Sequence, residues 1–204
     1  MCLNEDEPKK ADKSQKKEKE SKDEVSQKFL NTRQILVSGE IDEDLAHAVI
    51  GKILLLEALS PTKPIYVYVD SPGGDVYSGF AILDMLRFVK PSVKTIGAGL
   101  VASAASLVLL GAKKQNRFAL PNSQYLIHQP LSEMRGVATD LEIHAKEIER
   151  IRGRINAIIA EETGRTQDDV ALDTERDYWL NASEALEYGL VSKVLRTRKD
   201  LPAK

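Results

Sequence analysis

The sequence predicts an α/β fold built on a parallel sheet, and three observations carry this prediction. Short apolar segments of strand length alternate with longer segments whose apolar residues recur at helical spacing. Residues 65–69, with the sequence IYVYV, are β-branched and aromatic without strict alternation, which is typical of a strand covered on both faces. From Ile35 onward the order is strand, helix, strand, helix, strand, helix, which is the signature of parallel βαβ units.

Turn residues and apolar spacing delimit the elements of the first half of the chain. A strand over 35–37 is ended by Gly39, and a helix over 42–59 is stopped by Ser60 and Pro61. The apolar face of that helix is predicted at Leu45, Val49, Ile53 and Leu56. The further elements are a strand over 65–69, a turn over 70–74, a helix over 76–89, a strand over 93–98, and a turn at Gly99 leading into a buried helix that ends at Ala112.

The second half contains one unusually long helix. Thr139 and Glu142 form a capping-box pattern, and the helix is predicted over 139–163, about 25 residues or ~37 Å. Its narrow apolar stripe fits contact with another subunit and packing as a lid on its own core equally well. The remaining elements are strands over 117–120 and 125–128, a helix capped by Asn181 with Glu184 and ended by Gly189, and a strand over 190–195. The stripe consists of Leu141, Ile148, Ile151, Ile155 and Ile158.

The N-terminal segment differs in composition from the rest of the chain. Residues 1–24 carry eight acidic residues and seven lysines but only four apolar residues, so they cannot offset their own ordering entropy. We therefore expect a disordered or loosely helical tail over 1–28. A solvated extension without a specific role is favoured over a docking segment. One domain is expected over 29–197, followed by a short C-terminal tail over 198–204.

Composition excludes several classes of protein. The 204 residues, 42% of them hydrophobic, suffice for one domain with a core, and the net charge of −2 gives no field that attracts nucleic acid or anionic membranes. A single cysteine, Cys2, excludes an internal disulfide and a multi-cysteine metal site. No secretory h-region follows it, and the longest apolar run, residues 100–112, is too short to span a bilayer. A cytoplasmic location is expected.

Serine catalysis requires a hydroxyl, an imidazole and an orienting carboxylate, and three histidines are available. His47 and His144 lie among helical residues and are interpreted as surface residues or as helical residues whose hydrogen bonds are satisfied. His128 closes the apolar strand before Gln129-Pro130, and α/β proteins usually build their sites at such strand ends.

Two serines lie in the small-residue run GLVASAASLVLLGA. Ser103 stands where the Gly99 turn meets the helix, so from the residues alone it is either a helix N-cap or a nucleophile. Ser106 is interpreted as structural, bonding back to helix carbonyls. No GxSxG elbow and no GxxxxGK[ST] phosphate loop occur, which disfavours an α/β-hydrolase and ATP hydrolysis. In SPGG, the second glycine, Gly74, would let a backbone amide approach a ligand closely.

Six motifs taken together resemble the proteolytic subunit of the Clp protease family over residues 34–194. His128 follows Ser103 by 25 residues and Asp177 follows His128 by 49, and both spacings match that family. The motifs are SPGG at 71–74, GLVASAAS at 99–106, RFALPNS at 117–123, YLIHQP at 125–130, ATDLEIHAKEI at 138–148 and DTERDYWLNASEALEYGLV at 173–191.

The resemblance implies a role for each matching position. Ser103 would be the nucleophile, His128 the general base and Asp177 the orienting carboxylate, with the amides of Gly74 and Ala104 as the oxyanion hole. The segments around them would hold an extended peptide as short strands. The substrate-binding residues implied are Gly73, Asp75, Val76, Pro130, Leu131 and Ser132.

The resemblance also implies an architecture and partners. The fold would be a crotonase-like arrangement of stacked ββα units with a protruding handle helix over 139–163, which would interlock two seven-membered rings around a chamber. An AAA+ unfoldase would feed unfolded protein into the chamber and use the ATP, so this chain itself would need no cofactor and no metal.

The sequence departs from the family pattern at four places. Val101 and Ala104 flank Ser103 where alanine and methionine are usual, which is expected to alter the substrate side-chain pocket. Asp70 stands where asparagine is usual, and the charged tail replaces a short pore-lining loop, which makes coupling to an unfoldase less secure than peptidase chemistry. Two alternatives stay open: a non-catalytic paralogue that assembles with an active subunit, and a crotonase-fold acyl-CoA enzyme.

Overall fold

The computed structural model describes residues 28 and 30–202. Strands and helices alternate along its first half, up to residue 109. Within these residues seven strands form one sheet. The strands are β1 Gln34–Ile41, β2 Ile65–Gly74, β3 Val93–Ala102, β4 Arg117–Ala119, β5 Gln124–Ile127, β6 Tyr178–Asn181 and β7 Lys193–Val194. The helices are α1 Glu43–Leu59, α2 Val76–Phe88, α3 Ala104–Leu109, α4 Ala138–Thr163, α5 Gln167–Asp173 and α6 Ala182–Tyr188.

The sheet is parallel except at one edge, which confirms the predicted α/β class. Its main order is β1-β2-β3-β4-β7, and every neighbouring pair in this path is parallel. The long strand β3 pairs with β4 along its first half and with β5 along its second half. β6 is antiparallel to β5. The second half of β3 and the β5–β6 pair thus form an extension of the sheet.

Two predicted turns are wrong because the chain stays extended through them. The turn placed at 70–74 belongs to β2, which continues to pair with β1 through Glu40 opposite Gly73 and Ile41 opposite Gly74. Likewise β3 runs through Gly99 to Ala102, where a turn and helix start were predicted. Glycine and proline there mark register shifts in the sheet, not its end. Gly39 also fails to end β1, which continues to Ile41.

The helix boundaries lie close to the predicted ones, and side chains cap several of the helices. Asp42 caps α1 by accepting from the Leu45 amide, and Asp75 caps α2 by accepting from the Ser78 amide. Asn181 and Glu184 form the predicted capping box of α6. The capping box predicted at Thr139 is wrong, since α4 begins at Ala138 after Val137 without a side-chain cap.

The core lies between one face of the sheet and the helices α1, α2 and α3. Val67 and Val69 of β2 are fully buried there, while Tyr66 and Tyr68 on the opposite face are half-buried. That second face carries a smaller apolar cluster, so the prediction of a strand covered on both faces holds only in part. The smaller cluster consists of Ile96, Phe118 and Leu195, with Tyr66, Tyr68 and Leu201 packed against it.

Helix α4 has two unlike halves. Its C-terminal half carries the buried residues of the helix and ends at Gly164 in a left-handed cap. Its N-terminal half is mostly exposed, and two residues of the predicted stripe lie in it, exposed Leu141 and half-buried Ile148. The buried residues are Ile151, Ile155, Asn156, Ile159, Ala160 and Thr163.

The two predicted termini fall differently with respect to the described residues. The tail predicted over 1–28 lies almost wholly outside them, as does Cys2. The segment 198–202 packs on the domain: Leu201 contacts the smaller apolar cluster, and the buried Lys94 donates to the Pro202 carbonyl. Across the part of the chain that is described, no helix combines the length and the apolar character needed to cross a membrane.

Candidate active site

Ser103 occupies a sharp turn between β3 and α3. Its φ of 55° and ψ of −123° place a non-glycine residue in a strained backbone region. Its amide donates to the Leu126 carbonyl at 2.9 Å and its carbonyl accepts from the Ser106 amide at 2.9 Å, so the surrounding backbone fixes the turn. The Ser103 side chain forms no capping bond to α3, so it is not the N-cap hydroxyl that the residues alone allowed.

The end of β2 lies directly against this turn. Gly73 has φ of 93°, and a β-carbon there would lie 2.6 Å from the Ala102 carbonyl oxygen and 2.8 Å from Ser103 Cβ. Only glycine therefore fits beside the serine. Gly74 follows at the edge of the cavity that Ser103 and Ala104 line, which brings the two residues predicted to supply oxyanion amides to one cavity.

The β5–β6 pair brings His128 and Asp177 together. Ile127 is paired with Tyr178 across the antiparallel ladder, so the residues just beyond them lie side by side although 49 positions separate them. His128 Nδ1 is 3.1 Å from Asp177 Oδ1. The imidazole is largely buried, with 13% of its side chain exposed, whereas the carboxylate is 62% exposed. A carboxylate in this position holds the proton on Nδ1 and leaves Nε2 free to accept another.

A cavity of about 580 Å³ contains both Ser103 and His128 on its lining. Ser103 Oγ and His128 are not hydrogen-bonded to each other within the described residues, and catalytic hydrogen bonds often tighten only when substrate binds. Much of the cavity lining is apolar and comes from α3, α4 and the end of β5. The apolar lining includes Leu107, Leu126, Ile148, Ile151, Ile155 and Ile159.

Most of the predicted substrate-binding residues also lie at this cavity. Asp75 and Val76 line one side, and Pro130, Leu131 and Ser132 line another. Gly73 does not line it but packs behind Ser103, and Asp177 lies behind His128. The Asp75 carboxylate already accepts from the Ser78 amide at 2.7 Å as the cap of α2.

Two other predictions near Ser103, those for Ser106 and Val101, need correction. Ser106 is buried, but its hydroxyl donates to the Leu126 carbonyl of β5 at 3.3 Å, not to its own helix. Val101 is fully buried within β3 and does not line the cavity, so it cannot shape the substrate pocket directly, whereas Ala104 lines it. Asp70, the third departure from the family pattern, accepts from the Leu100 amide at 3.0 Å beside the register shift between β2 and β3.

Three polar residues at the cavity were missed by sequence reasoning: Tyr77, His144 and Glu147. Tyr77 donates to Glu147 Oε1 at 2.7 Å, and Ser132 Oγ is 2.7 Å from His144 Nε2. His144 was dismissed as a surface residue because it lies on the charged side of α4, yet it lines the cavity. The available signal was its spacing of three residues from Glu147, which puts both on one face of the helix.

Glu147 is the most strongly perturbed acid of this group. Two hydrogen bonds from Arg150 and one from Tyr77 lower the pKa of Glu147 to about 2. The same bond to Glu147 raises the pKa of Tyr77. The carboxylate therefore stays ionised and the phenol stays protonated throughout the neutral range, so this contact persists there. No group of three or more potential metal ligands was found among residues 28 and 30–202.

Comparisons with known proteins show the family to which the chain belongs. Residues 16–198 match the family model described as Clp protease. The chain is 60% identical over 191 residues to the ATP-dependent Clp protease proteolytic subunit 2 of Treponema denticola, covering 93% of this chain and 96% of the relative. It is 65% identical over 178 residues to the subunit of the same name from Treponema pallidum, covering 87% and 89%.

A solved structure matches the fold. A ClpP1 mutant from Listeria monocytogenes superposes with a TM-score of 0.81 at 45% identity, covering 87% of this chain and 99% of that chain.

Proposed function

This chain belongs to the Clp protease family as a proteolytic subunit, and we propose that it is a serine-type endopeptidase with Ser103 as its nucleophile. The observation that carries the proposal is the strained turn at Ser103, which opens into the same cavity as the imidazole of an Asp177–His128 pair. A backbone strained in this way is usually maintained for a functional reason.

The chemistry follows from the three side chains. His128 Nε2 removes the hydroxyl proton as Ser103 Oγ attacks the scissile carbonyl carbon, and Asp177 stabilises the resulting imidazolium. The amides of Gly74 and Ala104 stabilise the oxyanion, each by about 3 kcal/mol. His128 then protonates the leaving amine, and water hydrolyses the Ser103 ester by the same steps, which restores the free serine.

The cavity supports a preference in the bound peptide. Its lining includes isoleucines of α4 and Leu126, so it favours an apolar side chain next to the scissile bond. The peptide backbone would lie extended between residues 74–76 and 130–132, pairing with both as an added strand.

We also propose the assembly and partner that the family suggests: two stacked rings of seven subunits, supplied with unfolded protein by an AAA+ unfoldase that uses the ATP. Several large apolar side chains are exposed on this single chain, as expected of surfaces that other subunits cover. They include Leu54, Leu55, Leu59 and Phe88 near the ends of α1 and α2, and Leu141 and Ile143 on α4.

An active-site phosphonate tests the proposal. Wild-type protein should be labelled at one site per subunit, and Ser103→Ala should not be labelled. Ser106→Ala is the matched control, since it removes a buried hydroxyl three residues away and should keep the label. Labelling that persists in Ser103→Ala, or never occurs in the assembled protein, would contradict serine catalysis at this residue.

The same preparation separates the alternatives. Cleavage of a fluorogenic peptide without any partner excludes a purely regulatory paralogue. Mass measurement of the assembly distinguishes two rings of seven from the trimers or hexamers of crotonase-type enzymes, and adding a candidate unfoldase with ATP tests coupling to folded substrates.

A further inference from the structure

The two segments that would hold the peptide are attached to the same turn of α4. Residues 74–76 continue directly into Tyr77, and residues 130–132 end at Ser132. Tyr77 donates to Glu147, and Ser132 hydrogen-bonds to His144. His144 and Glu147 are three residues apart and therefore lie on one face of the helix. We call residues 144–147 the clasp turn.

The contact on the Tyr77 side is held from both ends. Arg150 donates to both oxygens of Glu147, at 2.8 and 2.6 Å, which fixes the carboxylate that receives the Tyr77 hydroxyl. Tyr77 is the second residue of α2 and lies three residues after Gly74, so its position is tied to that of the oxyanion segment. Any shift of the clasp turn would therefore displace the start of α2.

The contact on the Ser132 side is the main polar attachment of a segment with little other support. Within the described residues the backbone of 130–136 forms no hydrogen bonds to other elements, and residues 131–137 are all exposed. The nearest backbone bond runs from the Gln129 amide to the Thr174 carbonyl at 2.7 Å. The hydrogen bond to His144 therefore fixes the position of Ser132 at the edge of the cavity.

The clasp turn is also where the exposed half of α4 joins the domain. Between residues 138 and 150, the side-chain hydrogen bonds to other elements are those at His144 and Glu147, again within the described residues. Resting on the peptidase function proposed above, we propose that His144 and Glu147 are positioning residues: the clasp turn sets the width of the slot between 74–76 and 130–132 and thereby the binding of extended peptides.

The experiment compares a substrate that spans the slot with one that does not. Tyr77→Phe and His144→Ala each remove one of the two contacts and leave Ser132, itself predicted to bind substrate, unchanged; the double variant removes both contacts. For a fluorogenic hexapeptide we expect kcat/KM to fall about threefold in each single variant, mainly through KM. In the double variant the fall should exceed the product of the two single effects, because either contact alone still holds the turn. A single-residue nitrophenyl ester should react at the wild-type rate, within about twofold.

One further variant acts as a control. Lys146→Gln removes the exposed Lys146–Glu142 contact of 2.7 Å on the same helix and should leave the rates with both substrates unchanged. The assembly mass is measured for every variant, so that a change of oligomer is detected.

The outcomes distinguish this proposal from the one on which it rests. An equal loss of kcat/KM for hexapeptide and ester, or no loss for the hexapeptide in the double variant, would contradict the proposed role of the clasp turn. A wild-type protein that the phosphonate does not label would instead overturn serine catalysis, whatever the variants do.

Discussion

The two walls of the catalytic cavity are built in opposite ways. The serine wall, residues 71–76 and 101–107, is mostly buried and is held by the sheet, with Ser71 Oγ bonded to the Gly39 carbonyl and to the Gly73 amide. The loop wall, residues 128–137, has neither strand nor helix and is exposed from Leu131 onward. Ser103, the proposed nucleophile, is thus fixed by the core, whereas the edge proposed to hold the peptide depends on a few side-chain contacts.

The largest effect should come from Asp177, which lies behind His128 of the loop wall. Asp177→Asn keeps the shape of the carboxylate but favours the wrong tautomer of His128, so we expect kcat to fall roughly 10³-fold. Peptide hydrolysis at neutral pH measures this. Glu175→Gln removes a neighbouring exposed acid that pairs with Arg152, and it should stay within about threefold of wild type. A fall of less than tenfold in Asp177→Asn would show that another group orients His128.

The next effect tests how rigid the serine wall is. Gly73→Ala introduces a β-carbon against Ser103 and the Ala102 carbonyl at a positive φ, so we expect a loss of roughly 3 kcal/mol in unfolding free energy. Denaturant unfolding measures it. Gly51→Ala in α1, where an added β-carbon meets nothing within 4 Å, should be neutral or stabilising by about 0.5–1 kcal/mol. If Gly73→Ala and Gly51→Ala were equally stable, the serine wall would be able to move aside for the added β-carbon.

A third prediction concerns the strain at the nucleophile itself. Ser103→Gly and Ser103→Ala both remove the hydroxyl, but only glycine tolerates the observed φ of 55° without strain. Ser103→Gly should therefore be the more stable of the two inactive variants by about 1 kcal/mol. Denaturation midpoints of the two proteins give the comparison directly, and a more stable alanine variant would be inconsistent with stored strain.

The smallest effect is expected in the loop wall. Leu131 has 82% of its surface exposed, so Leu131→Ser should change the unfolding free energy by less than about 0.5 kcal/mol while raising the KM for a hexapeptide. Leu172→Ser, at a residue 76% exposed on α5, is the matched control and should leave KM unchanged. If Leu131→Ser destabilised the chain strongly, the contrast between the walls would be lost.

The sequence predicted the architecture well because apolar spacing and caps are local signals. The order of strands and helices up to α4, the Asn181 cap and the end of α4 at Gly164 followed from short patterns, whereas α5 and β6 were not predicted. The errors lie where local signals conflict with pairing. Gly73, Gly74 and Gly99 were interpreted as turns, but hydrogen bonding to neighbouring strands keeps them extended.

The candidate site was predicted from spacing and resemblance, not from local structure. Nothing around Ser103 indicates a positive φ, because the turn is imposed by β3, β5 and the glycines of β2. His144 and Glu147 escaped notice because their partners, Ser132 and Tyr77, are distant in sequence and meet them only in the folded chain. The roles of the triad, of the oxyanion amides and of the substrate-binding residues stay predictions.

The antiparallel β5–β6 ladder holds His128 and Asp177 together independently of the chain segment between them. The polypeptide leaves the ladder after His128, forms α4 and α5, and returns just before Asp177, so the spacing of the pair is set by strand register and not by the length of the excursion. New chain termini opened in the exposed start of α4 would leave both partners on the same ladder. A circular permutant of this kind would inherit the pair intact, whereas a single-residue slip in β6 would turn Asp177 to the opposite face.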